Sequence, residues 1–261
     1  TESYIRNLLD GFGKSASQEF RFILFVSKDN CDSFRPFFEN EKFGKAMCNV
    51  RSSNVGKRIV WENLFLNSYA KNLNIDVMFI PVYSMPFKRS KIPYVVTIHD
   101  IQAIHFPHYF TWFKNFWLRL SWKNTLKNAS KIVAISNFVK QDLLQNFTVE
   151  KEKIEVVYNP ISPATEFEDF SHLRDRWGIH QKEYFYTVSS LAPHKNTEVL
   201  IKALGKILKG KATGIPDKLV ISGINGSQAS YIKNLAEELN LMGNVIFTGY
   251  VANSTRNSLY K

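Results

Sequence analysis

Eight short apolar runs punctuate the chain, and helix-like intervals separate most of them. They are "FRFILFV" (20–26), "DVMFIPV" (76–82), "PYVVTIHD" (93–100), "KIVAIS" (131–136), "IEVVYNP" (154–160), "YFYTVSS" (184–190), "KLVISG" (218–223) and "NVIFTGYV" (244–251). The runs are continuously apolar and rich in β-branched residues rather than alternating, which is the pattern of strands buried on both faces. A helical repeat stands out over 197–209, where Val199, Leu200, Ala203, Leu204, Ile207 and Leu208 recur at three and four. The opening segment "ESYIRNLLDGF" also predicts a helix, with the glycines of "DGFG" (10–13) as its C-cap. Alternation of strand and helix predicts an α/β fold with parallel sheets built from right-handed βαβ units.

The best break in this pattern is "NPISPATEFEDF", with two prolines and a burst of acid. It predicts a first unit over 1–162, a linker over 163–182 and a second unit over 183–261. The second unit holds three strand runs, too few for a complete doubly wound domain.

Composition narrows the class without choosing a function. The 261 residues are 44% hydrophobic and 22% charged, an ordinary globular balance. The two cysteines, Cys31 and Cys48, form neither a metal-spaced cluster nor a disulfide framework, which fits a reducing cytosol. In that compartment the sequons at Asn128, Asn146, Asn225 and Asn253 read as chance. No stretch approaches the length of a membrane span, and no signal peptide opens the chain. A net charge of +11 favours anionic partners: nucleic acid, an anionic membrane face or phosphorylated small molecules.

Three stretches carry candidate chemistry. In "SSLAPHKNTEVLIKAL" (189–204) a strand ends, a short loop follows, and Asn196 is placed as N-cap of the 197–209 helix. Ligands of open α/β sheets bind beyond the carboxyl ends of the strands, and a helix N-terminus there suits phosphate. Lys195, one residue before the cap, is placed to reach such an anion, or it is a solvated loop lysine; spacing leaves both open. His99 and Asp100 end the run "PYVVTIHD", again at a carboxyl edge. They read either as a hydrogen-bonding or acid–base pair or as a capping His with a turn-starting Asp. His105 and His108 lie nearby, but the spacings of six and three across a Pro-containing loop do not suit zinc.

The third stretch is "HYFTWFKNFWLRLSWKNTLKNASK" (108–131). Tyr109, Phe113, Phe116, Trp117 and Leu120 share one helical face, whereas Trp122, Leu126 and Ala129 share another, beside the cations Arg119, Lys123 and Lys127. Either the helix kinks near Leu120 or aromatic surface stays exposed, and exposed aromatics beside cations suit an anionic membrane interface. A helix buried against the sheet is the plainer alternative. The chain lacks a G-x-G-x-x-G after a strand, a Walker loop, G-x-S-x-G, H-E-x-x-H and D-x-D. It also lacks the RNA-module signatures, so a nucleic-acid partner is not expected.

These residues, taken in order, resemble family 4 glycosyltransferases of the GT-B fold, over nearly the whole chain. "PYVVTIHDIQAIHFPHYF" looks like that family's strand ending in His-Asp, and "ASKIVAISNFVKQDLLQNF" like its Ala-Asp-Lys-Ile-Ile-Ala-Ile-Ser-Glu-Phe segment. "KIEVVYNPIS" is similar to its Val-Ile-Pro-Asn-Gly-Val stretch, and "YFYTVSSLAPHKNTEVLIKAL" to its strand, Lys-Asn and helix. "NVIFTGYVANSTRNSLY" looks like its Val-Phe-Thr-Gly-Tyr-Val strand with the helix that follows. The resemblance implies two Rossmann-like domains with a cleft between them, the second domain incomplete here. It implies a retaining, metal-independent hexosyl- or deoxyhexosyltransferase of polysaccharide biosynthesis, with a nucleotide diphosphate sugar as donor and no other cofactor. The acceptor would be a glycan or a lipid-linked glycan, and the enzyme would be cytoplasmic, peripheral to the inner face of the membrane.

Carried over residue by residue, the resemblance gives His99 and Asp100 to the catalytic side. It gives Lys195, with Ser190, His194, Asn196, Gly223, Tyr250 and Val251, to the donor. Lys195 would hold the diphosphate, and the backbone near Tyr250 and Val251 would border the base. Ser190 stands where many members have Arg, and Asn159-Pro160 replaces the family's Asn-Gly. The family's Gly-rich loop would precede Thr1 and its Glu-containing segment would follow Lys261. Two other readings stand beside this one: another GT-B-type enzyme such as a nucleotide-sugar epimerase, or a non-catalytic basic binding module.

Overall fold

The computed structural model describes residues 2–15, 19–161, 163–210, 214–224 and 229–261. The chain divides into two compact units, Thr1–Ser162 and Pro163–Lys261. Each of the eight apolar runs holds a strand, and every strand pairing is parallel.

In the first unit α1 (Glu2–Ser15) leads to β1 (Phe22–Ser27) and β2 (Phe43–Cys48). Next come α2 (Val55–Trp61), a π-helical turn (Glu62–Leu66) and α3 (Asn67–Asn72), which run on as one rod. Then follow β3 (Met78–Ile80), β4 (Tyr94–Ile98), α4 (Gln102–His105), α5 (Trp112–Asn128), β5 (Lys131–Ala134), α6 (Asn137–Asn146) and β6 (Ile154–Val156). Strands β3-β4-β5-β6 form one sheet in chain order. Its core is dry: Val96, Ile98, Ile132, Ala134 and Ile154 are fully buried among Leu118, Trp122, Leu126, Val139 and Leu143 of α5 and α6. Each large aliphatic side chain so buried contributes roughly 1.5–3 kcal/mol. Side-chain caps start both helices, Thr111 accepting from the Lys114 N–H and Ser136 from the Val139 N–H.

Strands β1 and β2 form a separate pair. Sequence pattern missed β2, because Gly44 and Lys45 interrupt its apolar residues. The glycine has a packing reason: a Cβ at Gly44 would lie 2.6 Å from Ile23 Cδ1 on β1. The run 20–26, expected to be buried on both faces, is only half-buried over Phe22–Phe25. Its strand has one neighbour, and a cavity of about 340 Å³ lies between Ile23–Ser27 and Met78–Val82. The "DGFG" glycines do not end α1 either; the helix passes through both to Ser15, whose hydroxyl donates to the Gly11 carbonyl.

The second unit begins with α7 (Phe170–Trp177) and continues through β7 (Tyr184–Val188), α8 (Thr197–Lys209), β8 (Lys218–Ser222), α9 (Ala229–Glu238), β9 (Val245–Gly249) and α10 (Asn253–Tyr260). Its sheet runs β7-β8-β9. The expected linker over 163–182 contains a helix: α7 is capped by Asp169, ends on left-handed Gly178, and buries Leu173 against Val220 and Leu259. The acidic, Pro-containing stretch that suggested a linker runs into the helix, its last acid being the cap Asp169 itself. Helix α8 has its expected bounds but a rotated face, burying Thr197, Ile201, Leu204 and Gly205 while Val199 and Leu200 stay largely exposed.

Candidate functional site

In parallel sheets all carboxyl ends share one edge, where ligands of open α/β sheets bind. In the second unit that edge carries every residue expected at the donor. Ser190, His194, Lys195 and Asn196 follow β7, Gly223 follows β8, and Tyr250 and Val251 follow β9.

The edge is stitched by polar bonds. The Ser189 N–H donates to Ser222 O at 2.9 Å and the Gly223 N–H to Gly249 O at 2.7 Å. Hydroxyl pairs add to this, Ser189 with Thr197 at 2.6 Å and Ser222 with Thr248 at 2.7 Å. The first anchors the start of α8 to the end of β7. Gly223 has φ 89° and a Cβ there would lie 2.6 Å from Ser189 O, so the backbones approach as only glycine allows.

The turn Pro193–Lys195 feeds α8, with the Lys195 N–H donating to Ala192 O at 2.9 Å. Asn196 occupies the N-cap position but departs from the expected geometry. Its backbone is left-handed (φ 50°, ψ 38°) and its side chain caps nothing. Asn tolerates that conformation better than most residues, which accounts for its presence without a capping bond. The Val199 N–H donates to the Asn196 carbonyl at 3.1 Å, so the first turn of α8 lacks only a side-chain cap from Asn196. Lys195 and His194 are exposed, and Lys195 makes no ion pair among the described residues.

Beside this turn a recess of about 450 Å³ is lined by Ser190, Asn196, Thr197, Glu198, Tyr231 and Ile232, among others. Sequence reading missed Glu198 and Tyr231. Glu198 pairs with Lys202 at 3.4 Å and accepts from the Tyr231 phenol, a bond that raises the phenol above its ordinary pKa. Tyr231 belongs to α9, and nothing local in "ASYIKNLAEE" marks it.

In the first unit His99 and Asp100 lie just beyond β4. The His99 Nε2–H donates to Pro81 O at 3.1 Å, and Tyr4 meets its ring edge-on at 4.8 Å. That bond fixes the Nε2-protonated tautomer and leaves Nδ1 as the acceptor. Tyr4 is itself held by a hydrogen bond to buried Thr97 at 3.1 Å. Asp100 Oδ1 accepts from the Gln102 N–H at 3.0 Å, the turn-starting role. His105 is taken by Asp142 at 2.8 Å, and His108 contacts the Tyr109 ring at 4.4 Å. Helix α5 resolves its two apolar phases by exposure. It runs unbroken, burying Leu118, Trp122 and Leu126 while Trp112, Phe113 and Phe116 are 81%, 63% and 60% exposed.

Known proteins place this architecture. Residues 1–165 match the Glycosyltransferase Family 4 model, and residues 169–261 match that of Glycosyl transferases group 1. The chain is 26% identical over 193 residues to the O-antigen chain mannosyltransferase RfbU of Salmonella typhimurium, covering 69% of this chain and 48% of that protein. It is 28% identical over 183 residues to the alpha-monoglucosyldiacylglycerol synthase of Streptococcus pneumoniae, covering 66% and 40%. The chain thus spans less than half the length of these relatives. Among solved structures, Anabaena HepE in complex with UDP and glucose superposes with a TM-score of 0.62 at 19% identity, over 96% of this chain and 66% of that one.

Proposed function

Because the chain belongs to the family 4, group 1 glycosyltransferases, we propose that it moves a sugar from a nucleotide diphosphate sugar to a glycan or lipid-linked acceptor. The observation that supports this most is the mouth of α8, where a helix start without a side-chain cap and the Lys195 ammonium, in no ion pair among the described residues, share the carboxyl edge with Gly223. Together they offer a diphosphate two kinds of charge stabilisation, the positive helix terminus and a mobile cation. When the bond from sugar to diphosphate breaks, negative charge builds on the leaving oxygens, and donors already aimed there lower the barrier. That chemistry needs no metal, in keeping with a retaining, metal-independent hexosyl- or deoxyhexosyltransferase.

In this reading Ser190, His194 and Asn196 flank the diphosphate, and Tyr250 and Val251 border the base. His99, whose Nε2 is bonded to Pro81 O, keeps Nδ1 as an acceptor for a hydroxyl of the transferred sugar. Asp100 stands on the catalytic side with it, one oxygen, Oδ1, holding the turn after His99 by accepting from the Gln102 N–H. The enzyme works at the cytoplasmic membrane face, without a nucleic-acid partner.

The test is a calorimetric titration of the protein with UDP, GDP and ADP. At least one binds. For that nucleotide Lys195→Ala weakens affinity tenfold or more, the scale of a lost charge-assisted hydrogen bond. Lys127→Ala, on α5, stays within about twofold. Equal affinities for wild type and Lys195→Ala would remove the site assignment.

A further inference from the structure

A second recess, about 640 Å³ in volume, opens at the carboxyl ends of β1 and β2. Its lining combines three cations, Lys28, Arg51 and Lys57, with apolar side chains, Val50 on the loop after β2 and Val60, Trp61 and Phe65 on the rod. No carboxylate lines it, and none of the three cations forms an ion pair among the described residues. Three cations around one recess with no carboxylate in its lining make it an attractive place for an anion.

The loops that carry the cations are held in place. Asp29 accepts from the Ser27 hydroxyl at 2.7 Å and from the N–H groups of Ser52 at 2.7 Å and Ser53 at 2.9 Å. These bonds tie the loop after β1, with Lys28, to the loop after β2, with Arg51. The Ser27 hydroxyl and the Ser53 and Ser52 N–H groups also hold the Asp29 carboxyl well below the usual range. Asp29 is thereby an ionised clamp whose oxygens are already engaged. Asn54 caps α2 by accepting from the Lys57 N–H at 3.1 Å, fixing the turn from which Lys57 projects.

Most of the apolar part lies on the same rod. Val60 and Trp61 follow Lys57 at three and four, and Phe65 follows Trp61 at four, their rings 6.4 Å apart. Val60 and Phe65 are 56% and 53% exposed, so large apolar side chains face solvent beside the cations. The π-helical turn at Glu62–Leu66 adds a residue to the rod at this point, a distortion frequent at functional sites.

We propose that this recess binds an amphiphilic phosphate ester, its phosphate at Lys28, Arg51 and Lys57 and its apolar body along Val60, Trp61 and Phe65. Inorganic phosphate leaves the apolar wall unused, and an uncharged amphiphile leaves the cations unused. That this ligand is the acceptor rests on the glycosyltransferase reading; that it binds does not. The same chemistry occurs in a lipid phosphate of a bilayer and in a soluble phosphorylated compound with an apolar group.

The experiment titrates the whole chain with decyl phosphate, inorganic phosphate and decyl glucoside, all below their micellar concentrations. Decyl phosphate binds at least tenfold more tightly than either control. Arg51→Gln with Lys57→Gln weakens it tenfold or more, and Phe65→Ser weakens decyl phosphate severalfold while leaving inorganic phosphate unchanged. Each variant keeps wild-type nucleotide affinity and far-UV spectrum, so loss of fold is separated from loss of the site. Competition by phosphatidic acid vesicles supports a lipid source, and competition by phenyl phosphate supports a soluble one. Decyl phosphate binding without any nucleotide binding would overturn the acceptor role and keep the recess. Equal binding of decyl phosphate and inorganic phosphate, or indifference to both sets of substitutions, would overturn the recess itself.

Discussion

Cys48 ends β2 in a buried position beside Glu62, and burial together with that carboxylate pushes its thiol up to about 11. In the unfolded chain a thiol ionises near 8.5. A folded value above the unfolded one means that the native state holds its proton longer. The contribution to stability is therefore full below about pH 8.5 and falls as the pH rises toward 11. Urea denaturation at pH 8 and pH 10.5 should show a larger loss for wild type than for Cys48→Ala. Identical losses would show that the thiol stays uncoupled from folding. At this scale the sequence showed where side chains lie along the chain, not what they hold. Lys195 and Asn196 were legible as loop and cap positions, but the left-handed backbone of Asn196 was not. Asp100 was legible as a strand-end residue, whereas its bond to Gln102 needed coordinates. Tyr231 and Glu198 meet only because α9 folds back beside α8, and no local spacing encodes that meeting.

Periodicity located the elements better than it located their faces. Helix α8 has the bounds its repeat predicted, and Leu204 of that repeat is buried, yet Ile201 and Gly205 join it in the core while Val199 and Leu200 are exposed. Apolar residues surround much of this helix, so the repeat alone cannot orient it. In α5 the same ambiguity has a consequence. Its solvent face carries Trp112, Phe113, Phe116 and Leu120 interleaved with Arg119, Lys123 and Lys127. Over 101–141 the cations are Lys114, Arg119, Lys123, Lys127, Lys131 and Lys140, and there is no Asp or Glu. Aromatic side chains with cations and no carboxylates suit the headgroup region of an anionic bilayer. The protein should co-sediment with vesicles containing phosphatidylglycerol at low salt and much less with pure phosphatidylcholine. Replacing Trp112, Phe113 and Phe116 by Ser should reduce the bound fraction severalfold. Binding unchanged by that triple substitution would leave α5 without a membrane role.

At the scale of the molecule, each unit has a core of its own. One gathers around Val96, Ile98 and Ile132, and the other around Ile201, Ile221 and Ala236 with a satellite at Leu173, Ile179 and Val220. The sequence suggested the boundary through its prolines and acids but placed α7 outside the second unit. Composition signals a change of environment, and a capped eight-residue helix with a single fully buried leucine leaves little trace in it. That leucine makes the partition testable. Leu173→Ala removes a side chain from a site with no solvent exposure, which costs about 2–5 kcal/mol in a core that relaxes only in part. If α7 belongs to the second unit, the loss falls on that unit. Hydrogen exchange resolved by peptide should then quicken at β8 and α10, which supply Val220 and Leu259 to the same cluster. Exchange at β4 and β5 should stay within about twofold of wild type. Matching increases in both units would mean that the two cores melt together. An increase confined to residues 163–182 would return α7 to the status of a linker.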